Sequence, residues 1–285
     1  MKLIHALSSI VNKLIDWTSR LYFYLFDRYV LYPLMRTIGK KYEIEFLNLG
    51  YIPADTDSAL SDRNLPINCA FRAHYQLYEK ALSTCPLYPN LSLNLLDVGC
   101  GLGGGVREMK MIENRDEQNF SVHPELLRAV GVDKCIRSHD EMNLFYGDAE
   151  ELPFADGSFD LIVNVESSHL YANPQSFFTE THRVLRTGGY LCWADLRAVE
   201  KALEPFSHAR CAGLKLVKYE KITEQVLSGI HVTAAHYDSK LKETPFIIRI
   251  FTNTLRSTYC APGTRTYENF SRGLKDYYVA CWQKT

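Results

Sequence analysis

The segment of this chain best equipped for chemistry is an acid followed by a run of glycines, Leu95-Leu-Asp-Val-Gly-Cys-Gly-Leu-Gly-Gly-Gly105. The short apolar run at 93–98 reads as a buried strand that delivers Asp97. Glycines at 99, 101 and 103 let a ligand approach the backbone where a side chain would collide. A helix expected from about Gly103 aims its free N–H groups at that ligand. Dinucleotide-binding folds share such a turn. Asp97 separates the two cases, because a carboxylate there repels a pyrophosphate and attracts a cofactor carrying an amino group or a sulfonium.

S-adenosylmethionine carries both groups and no phosphate, and three further segments agree with it. Val130-Gly-Val-Asp133 ends a short strand in an acid, where a carboxylate can take both ribose hydroxyls. Gly147-Asp-Ala-Glu-Glu-Leu-Pro-Phe154 follows another strand; there Asp148 can accept from an adenine amino group and Ala149 offers a backbone N–H. Ser158-Phe-Asp-Leu-Ile-Val-Asn164 brings Asn164 and Glu166 to the carboxyl end of a fourth strand, the end where ligands sit in an open parallel sheet. His169 follows in Glu166-Ser-Ser-His-Leu-Tyr171, where a neutral imidazole can take a proton from a hydroxyl acceptor. His169 reads equally as a structural or substrate-orienting residue. Asp195 could orient that base, bind the acceptor or cap the next turn, and Glu166 could bind acceptor or cofactor. Tyr171 and Trp193 read as packing, and the remaining histidines as mostly surface.

Strands alternating with helices must hold these residues. Strands are expected at 93–98, 129–132, 142–146, 159–164 and 190–195, with a helix at 174–185 and a turn at Arg186-Thr-Gly-Gly189 before the fifth strand. That alternation argues a βαβ series and a parallel sheet. Residues 67–83 read as helix, 50–66 as loop and 277–282 as a final strand, while 200–270 mix helical stretches with Pro and Gly breaks.

The order of motifs Asp-Val-Gly-Cys-Gly-x-Gly, Gly-Asp-Ala-Glu-x-Leu-Pro-Phe, Ser-Phe-Asp and Arg-Val-Leu-Arg-x-Gly-Gly resembles the class I, type 11 S-adenosylmethionine-dependent methyltransferases over about residues 93–195. The resemblance implies a Rossmann-like α/β fold: a seven-stranded, mostly parallel sheet with helices on both faces, preceded here by an N-terminal helical extension. It implies S-adenosylmethionine as cofactor, held by Asp97, Gly99, Gly101, Gly103, Asp133, Asp148, Ala149 and Asn164, with catalysis at His169, Asp195 and Glu166. Tyr32-Pro-Leu-Met35, Glu45-Phe-Leu-Asn48, Asn164-Val-Glu-Ser-Ser-His169 and Ala194-Asp-Leu-Arg197 look like the mycobacterial phthiotriolone and phenolphthiotriolone dimycocerosate methyltransferases. That likeness implies a lipid-like acceptor, methylated at a hydroxyl. Two spacings depart from the family pattern. Asp133 lies farther from Asp97 than the ~20 positions usual for a ribose acid, with a polar insertion around 114–124 between them. Asp133 and Asp148 then stand close together, which leaves little room for a crossover of at least about 10–12 residues.

Composition sets the outer limits. With 285 residues the chain can bury a core without staples. Thirty-two Lys+Arg against 33 Asp+Glu give a net charge of -1, without the basic excess of a phosphate-contacting protein, so no nucleic-acid partner is expected. Eight cysteines without a C-x-x-C pair read as free thiols of a reducing, cytoplasmic compartment, and no metal site is expected. Residues 1–66 read as an aromatic-rich helix and loop, and 67–285 as the methyltransferase domain, with a core at 93–195 and an acceptor-side cap and final strand at 196–285. The helix at 4–36 has two readings: packed on the domain, or lying peripherally in a membrane interface with Trp17, Tyr22, Phe23, Phe26 and Tyr29 as its aromatic body. The charges along it interrupt any run of the ~20 apolar residues needed to span a bilayer. Besides O-methylation of a lipid, N- or C-methylation of a sterol, quinone or amine stays open, as does a non-catalytic methyltransferase-like binding module.

Overall fold

The computed structural model of the chain describes residues 46–54, 71–88, 94–107, 109, 129–134, 136, 143–249 and 252–285. All belong to one unit, Phe46–Thr285. The helix expected at 4–36, the later part of the 50–66 loop and the insertion at 114–124 lie outside the described residues.

The strands β1 (Leu95–Val98), β2 (Ala129–Asp133), β3 (Leu144–Tyr146), β4 (Phe159–Val165), β5 (Leu185–Ala198), β6 (Leu214–Lys221) and β7 (Lys275–Lys284) form one sheet in the order β3-β2-β1-β4-β5-β7-β6. β1 to β5 run parallel, and β7 is antiparallel to both of its neighbours. The chain leaves β1 toward β2 on one side and returns to β4 on the other. This reversal opens a crevice at the carboxyl ends of β1 and β4, the place where open α/β sheets bind ligands.

Strand alternation divides the core between the two faces of the sheet. Leu95, Leu161, Val163 and Val279 belong to the cluster packed with α1 (Arg72–Leu82). Leu96, Ile162, Leu191 and Trp282 belong to the other cluster, with Phe177 and Phe178 of α2 (Pro174–Val184) and Ala209 of α3 (Glu204–Cys211). Both faces are covered, so β1 is buried along its whole length, Asp97 included. Among the described residues no helix is long and apolar enough to cross a membrane.

Two elements differ from the sequence reading. The fifth strand begins before the Arg186-Thr-Gly-Gly189 turn. Leu185 pairs with Phe159 and Tyr190 with Leu161, so residues 186–189 bulge out of a strand that continues on either side. β6 lies within a stretch that reads as helical. It is an edge strand, largely exposed and rich in lysine, and pairing with β7 creates it. His74 also departs from the surface expectation. It is fully buried in α1, with Nδ1 2.8 Å from Asn48 Oδ1 and Nε2 2.9 Å from the Tyr237 hydroxyl.

The irregular segment 46–54 is pinned between α1 and α4 (Thr223–Glu243) by Tyr51 N–H to Ala73 O at 2.8 Å and Ile52 N–H to Gln225 O at 3.1 Å. A Cβ on Gly229 of α4 would stand 2.5 Å from the Gly50 carbonyl carbon and 2.7 Å from Tyr51 N. Ala normally stabilises a helix interior over Gly by up to ~1 kcal/mol. Here Gly229→Ala should instead destabilise the chain by about 1–3 kcal/mol, the usual cost of overpacking. Urea unfolding reads the difference, and a gain in stability would refute the close approach.

Candidate functional site

The carboxyl ends of β1, β2 and β4 converge on the glycine turn. Gly99 N–H donates to Val132 O at 2.8 Å, which ties the turn to β2. Gly99, Gly101 and Gly103 have φ of 76°, 56° and 86°, in the left-handed region that disfavours side chains. A Cβ on Gly99 would strike Ser167 Oγ at 2.3 Å, whereas one on Gly101 would meet only Leu47 Cδ1 at 3.7 Å. Backbone conformation thus favours glycine at 101, and the space above it is open to a ligand.

Asp97 is fully buried. Its Oδ2 accepts from the Tyr78 hydroxyl at 3.2 Å, while Oδ1 has no hydrogen-bond partner. Burial pushes its carboxyl up to about 7, against the opposing bond from Tyr78 and with a further push from the Asp133 charge. Asp133 turns back on the loop: its Oδ2 accepts from Gly101 N–H at 3.0 Å. Asp148 pairs with Lys134 at 2.7 Å and accepts from Glu150 N–H at 3.0 Å, and the neighbouring Ala149 is buried. Asn164 clamps β4 to β1. Its Nδ2 reaches Val98 O at 2.8 Å, Ser167 Oγ at 2.6 Å and the Tyr171 hydroxyl at 3.0 Å, and its buried Oδ1 has no partner.

Beyond β4 the chain turns sharply at Glu166, whose φ of 51° is unusual for a residue with a side chain. Glu166 Oε1 accepts from Leu49 N–H at 2.9 Å and from the Tyr277 hydroxyl at 2.8 Å. Burial raises its carboxyl to about 7 in spite of both bonds. A single 3-10 turn, Ser168–Leu170, then sets His169 beside the end of β5. His169 Nδ1 lies 2.6 Å from Asp195 Oδ1 and its backbone N–H is 3.0 Å from Asp195 Oδ2. The His169 side chain is 37% exposed while that of Asp195 is fully buried. Burial would push the Asp195 carboxyl up, but the charges of His169 and Arg197 and the bonds it accepts hold it below the ordinary carboxylate range. Asp195 is thus ionised, and Nδ1 donates to it. When the ring is neutral, Nε2 is then the nitrogen that keeps the lone pair, on an accessible side chain.

The residues named from sequence therefore gather at one end of the sheet. Sequence reasoning missed the groups that hold them: Tyr78, Ser167, Ser168 and Tyr277. Tyr171 and Trp193 pack against the second core cluster as expected, and in addition the Tyr171 hydroxyl lies 2.9 Å from Ser167 Oγ and Trp193 Nε1 donates to Ser168 Oγ at 2.8 Å. Ser167 and Ser168 within Asn164-Val-Glu-Ser-Ser-His169, and Arg197 within Ala194-Asp-Leu-Arg197, were the signals available in the sequence. Arg197 Nη2 reaches Asp195 at 3.0 Å and Ser168 Oγ at 2.5 Å.

Residues 96–193 match the family model described as a methyltransferase domain. The phthiotriol/phenolphthiotriol dimycocerosates methyltransferase of Mycobacterium tuberculosis (strain ATCC 25618 / H37Rv) is 34% identical over 210 residues, 70% of this chain and 71% of that protein. The chain belongs to the class I S-adenosylmethionine-dependent methyltransferases. A fatty-acid O-methyltransferase of Mycolicibacterium smegmatis is 29% identical to this methyltransferase, over 85% of this chain and 84% of its own length. Among solved structures, the [4+2]-cyclase SpnF shares the fold with a TM-score of 0.59 at 16% identity, covering 89% of this chain and 94% of its own. The geranyl diphosphate C-methyltransferase of Streptomyces coelicolor A3(2), solved with S-adenosyl-L-homocysteine, does so with a TM-score of 0.56 at 16% identity, covering 89% and 99%. The methyltransferase uses S-adenosylmethionine, and the site fits it. The partnerless acceptor on buried Asp97 lies next to a glycine turn with open space above Gly101.

The two raised carboxyls carry a stability consequence. Folded-state values of about 7 stand above the ordinary 3.8 for Asp97 and 4.5 for Glu166, so the folded chain holds the extra protons. Their contribution is complete below about pH 4 and is lost as pH rises through about 7. His74, held down to about 3 by burial, titrates in the opposite sense, so the difference between variant and wild type is the quantity to read. Asp97→Asn should gain stability relative to wild type between pH 4 and 7, by up to about 1.4 kcal/mol per pH unit. Urea unfolding of the cofactor-free chain across that range measures it, and a gap that stays constant with pH would sink the assignment.

Proposed function

We propose that this methyltransferase transfers a methyl group to a hydroxyl oxygen of an apolar, lipid-like acceptor, with His169 as general base and Asp195 as its orienting partner. The observation that carries this reading is the 2.6 Å contact between His169 Nδ1 and a buried, ionised Asp195. It holds the ring in one tautomer and aims the basic nitrogen away from the protein's own acceptor. Two relatives support the lipid class, since their names refer to dimycocerosates and to a fatty acid.

S-adenosylmethionine supplies an electrophilic methyl group on a sulfonium sulfur. Asp97 would hold its amino group, ionising as it does so, and Gly99, Gly101 and Gly103 would admit it close to the backbone. Asp133 would take the ribose, with Asp148 and Ala149 at the adenine and Asn164 beneath the reacting end. His169 Nε2 would accept the proton that an acceptor hydroxyl must lose. Asp195 would stabilise the imidazolium formed, with Arg197 and Ser168 keeping that carboxylate in place. Glu166, anchored to Leu49 and Tyr277, would shape the acceptor side.

Two variants and one assay test the scheme. Tritium from labelled S-adenosylmethionine should pass into a total lipid extract, and label appearing only in polar amines would sink the lipid acceptor. Asp97→Ala should weaken cofactor binding in calorimetry by ~1.5–3 kcal/mol, the loss of a charge-assisted hydrogen bond. Unchanged affinity would remove Asp97 from the cofactor site. His169→Ala should lower turnover by ~10²–10⁴-fold with cofactor affinity nearly unchanged, and should flatten the rise of rate with pH that a titrating base produces. Near-normal turnover with an unaltered profile would point instead to an acceptor that needs no base, such as a carboxylate or an amine.

A further inference from the structure

Away from the methyl-transfer site, three cysteines distant in sequence meet in the core. Cys192 of β5 and Cys281 of β7 are direct partners across an antiparallel pair, so both side chains leave the same face of the sheet. Cys85 comes from the turn that follows α1, where its N–H donates to Leu82 O at 2.9 Å and its carbonyl accepts from Tyr88 N–H at 3.1 Å. All three are free and at most 3% exposed. Their Sγ atoms lie within 4.8 Å of one another. A lone buried thiol is ordinary packing. Three converging sulfurs are a donor set, because metal–sulfur bonds of ~2.3 Å around one ion put its ligands about 4 Å apart. No C-x-x-C spacing announces this set, since each sulfur arrives from a different element.

We propose that Cys85, Cys192 and Cys281 form a three-sulfur site for a soft monovalent cation, Cu(I). An all-sulfur donor set selects soft ions over magnesium, calcium or manganese. Structural zinc takes four ligands. Among the described residues two oxygens stand near: Thr84 Oγ1, 4.0 Å from Cys192 Sγ with its hydroxyl committed to Ala81 O at 2.6 Å, and the backbone carbonyl of Trp282, 3.9 Å from Cys281 Sγ. The ligands are thiolates, so binding releases thiol protons to solvent and capture should strengthen as pH rises. The ion would staple the end of α1 to β5 and β7. Cys192 and Asp195 lie on opposite faces of β5, since Cys192 packs with the α1 cluster and Trp193 with the other. The proposed role is therefore structural and rests on no part of the acceptor reading.

The test uses the full chain, reduced and kept under nitrogen, in a Cys69→Ser, Cys135→Ser, Cys211→Ser background that removes three other thiols and keeps the buried Cys100 and Cys260. Cu(I) is offered against bicinchoninate, both to the folded chain and during refolding from urea. The expected result is one Cu(I) captured per chain, with X-ray absorption showing three sulfur neighbours. Cys192→Ser and Cys281→Ala should each weaken capture by more than about 100-fold, beyond the cost of losing a supporting residue. S-adenosylmethionine binding of each variant, measured by calorimetry, checks that it has folded. Bicinchoninate keeping all the copper in both protocols would overturn the proposal. So would capture that survives both variants, a four-coordinate Zn(II) bound in preference to Cu(I), or a Cys192–Cys281 disulfide that forms in air in a chain that takes up no copper.

Discussion

A carboxylate sealed from water sits where β5 reaches the end of the sheet, and the geometry around the reacting end depends on it. Burying an ionised group is costly unless every lone pair finds a donor. Asp195 meets that condition with Ser168 Oγ, the backbone and ring nitrogens of His169, Leu196 N–H and Arg197 Nη2. These bonds draw the 3-10 turn after β4 onto β5, set the plane of the His169 ring and hold Arg197 beside Trp193, 5.5 Å from its ring centre. Removing a single donor would leave part of a buried charge unpaired, a more expensive loss than an ordinary surface hydrogen bond.

The acids of the site divide according to what surrounds them. Asp195 has cations and several donors and is held low. Among the described residues Asp97 and Glu166 have few donors and form no ion pair, and burial pushes both up to about 7. Carboxyls driven apart in this way by their environments are a common mark of a working site. An Asp97 carboxyl that is half-protonated near neutral pH is inexpensive to bury in the free enzyme. In the proposed cofactor role a cationic partner would restore its charge, so that one residue would serve folding and binding in different protonation states.

The fold leaves the chemistry open. A [4+2]-cyclase and a geranyl diphosphate C-methyltransferase share this fold at 16% identity. Common architecture positions a cofactor at the switch between β1 and β4, while the acceptor end is built from less regular pieces. In this chain the less regular pieces beside β4 are the segment 46–54, the turn at Glu166 and the hydroxyl of Tyr277 on β7. Their contacts, Leu49 N–H and the Tyr277 hydroxyl on one Glu166 oxygen, join three distant parts of the chain at a single carboxyl.

What the sequence determined by itself is local in origin. A short apolar run ending in Asp97 and three glycines specifies a strand and a left-handed turn, because glycine takes those φ values without the steric cost a side chain carries. Period and punctuation likewise marked β2, β4, α2 and the position of His169 just past a strand end. The tertiary structure alone decided which groups meet. Tyr78 reaches Asp97 from α1, Asp195 reaches His169 across a strand pair, and Cys85 reaches two strands from beyond a helix. It alone made β6 a strand, since a charged edge segment extends only once β7 offers hydrogen bonds. The physical reason is common to all of these. Hydrogen bonds across a parallel sheet and helix-on-sheet packing join residues whose separation along the chain has no period. Burial, which sets the state of each acid, is a property of the whole fold rather than of any stretch of it.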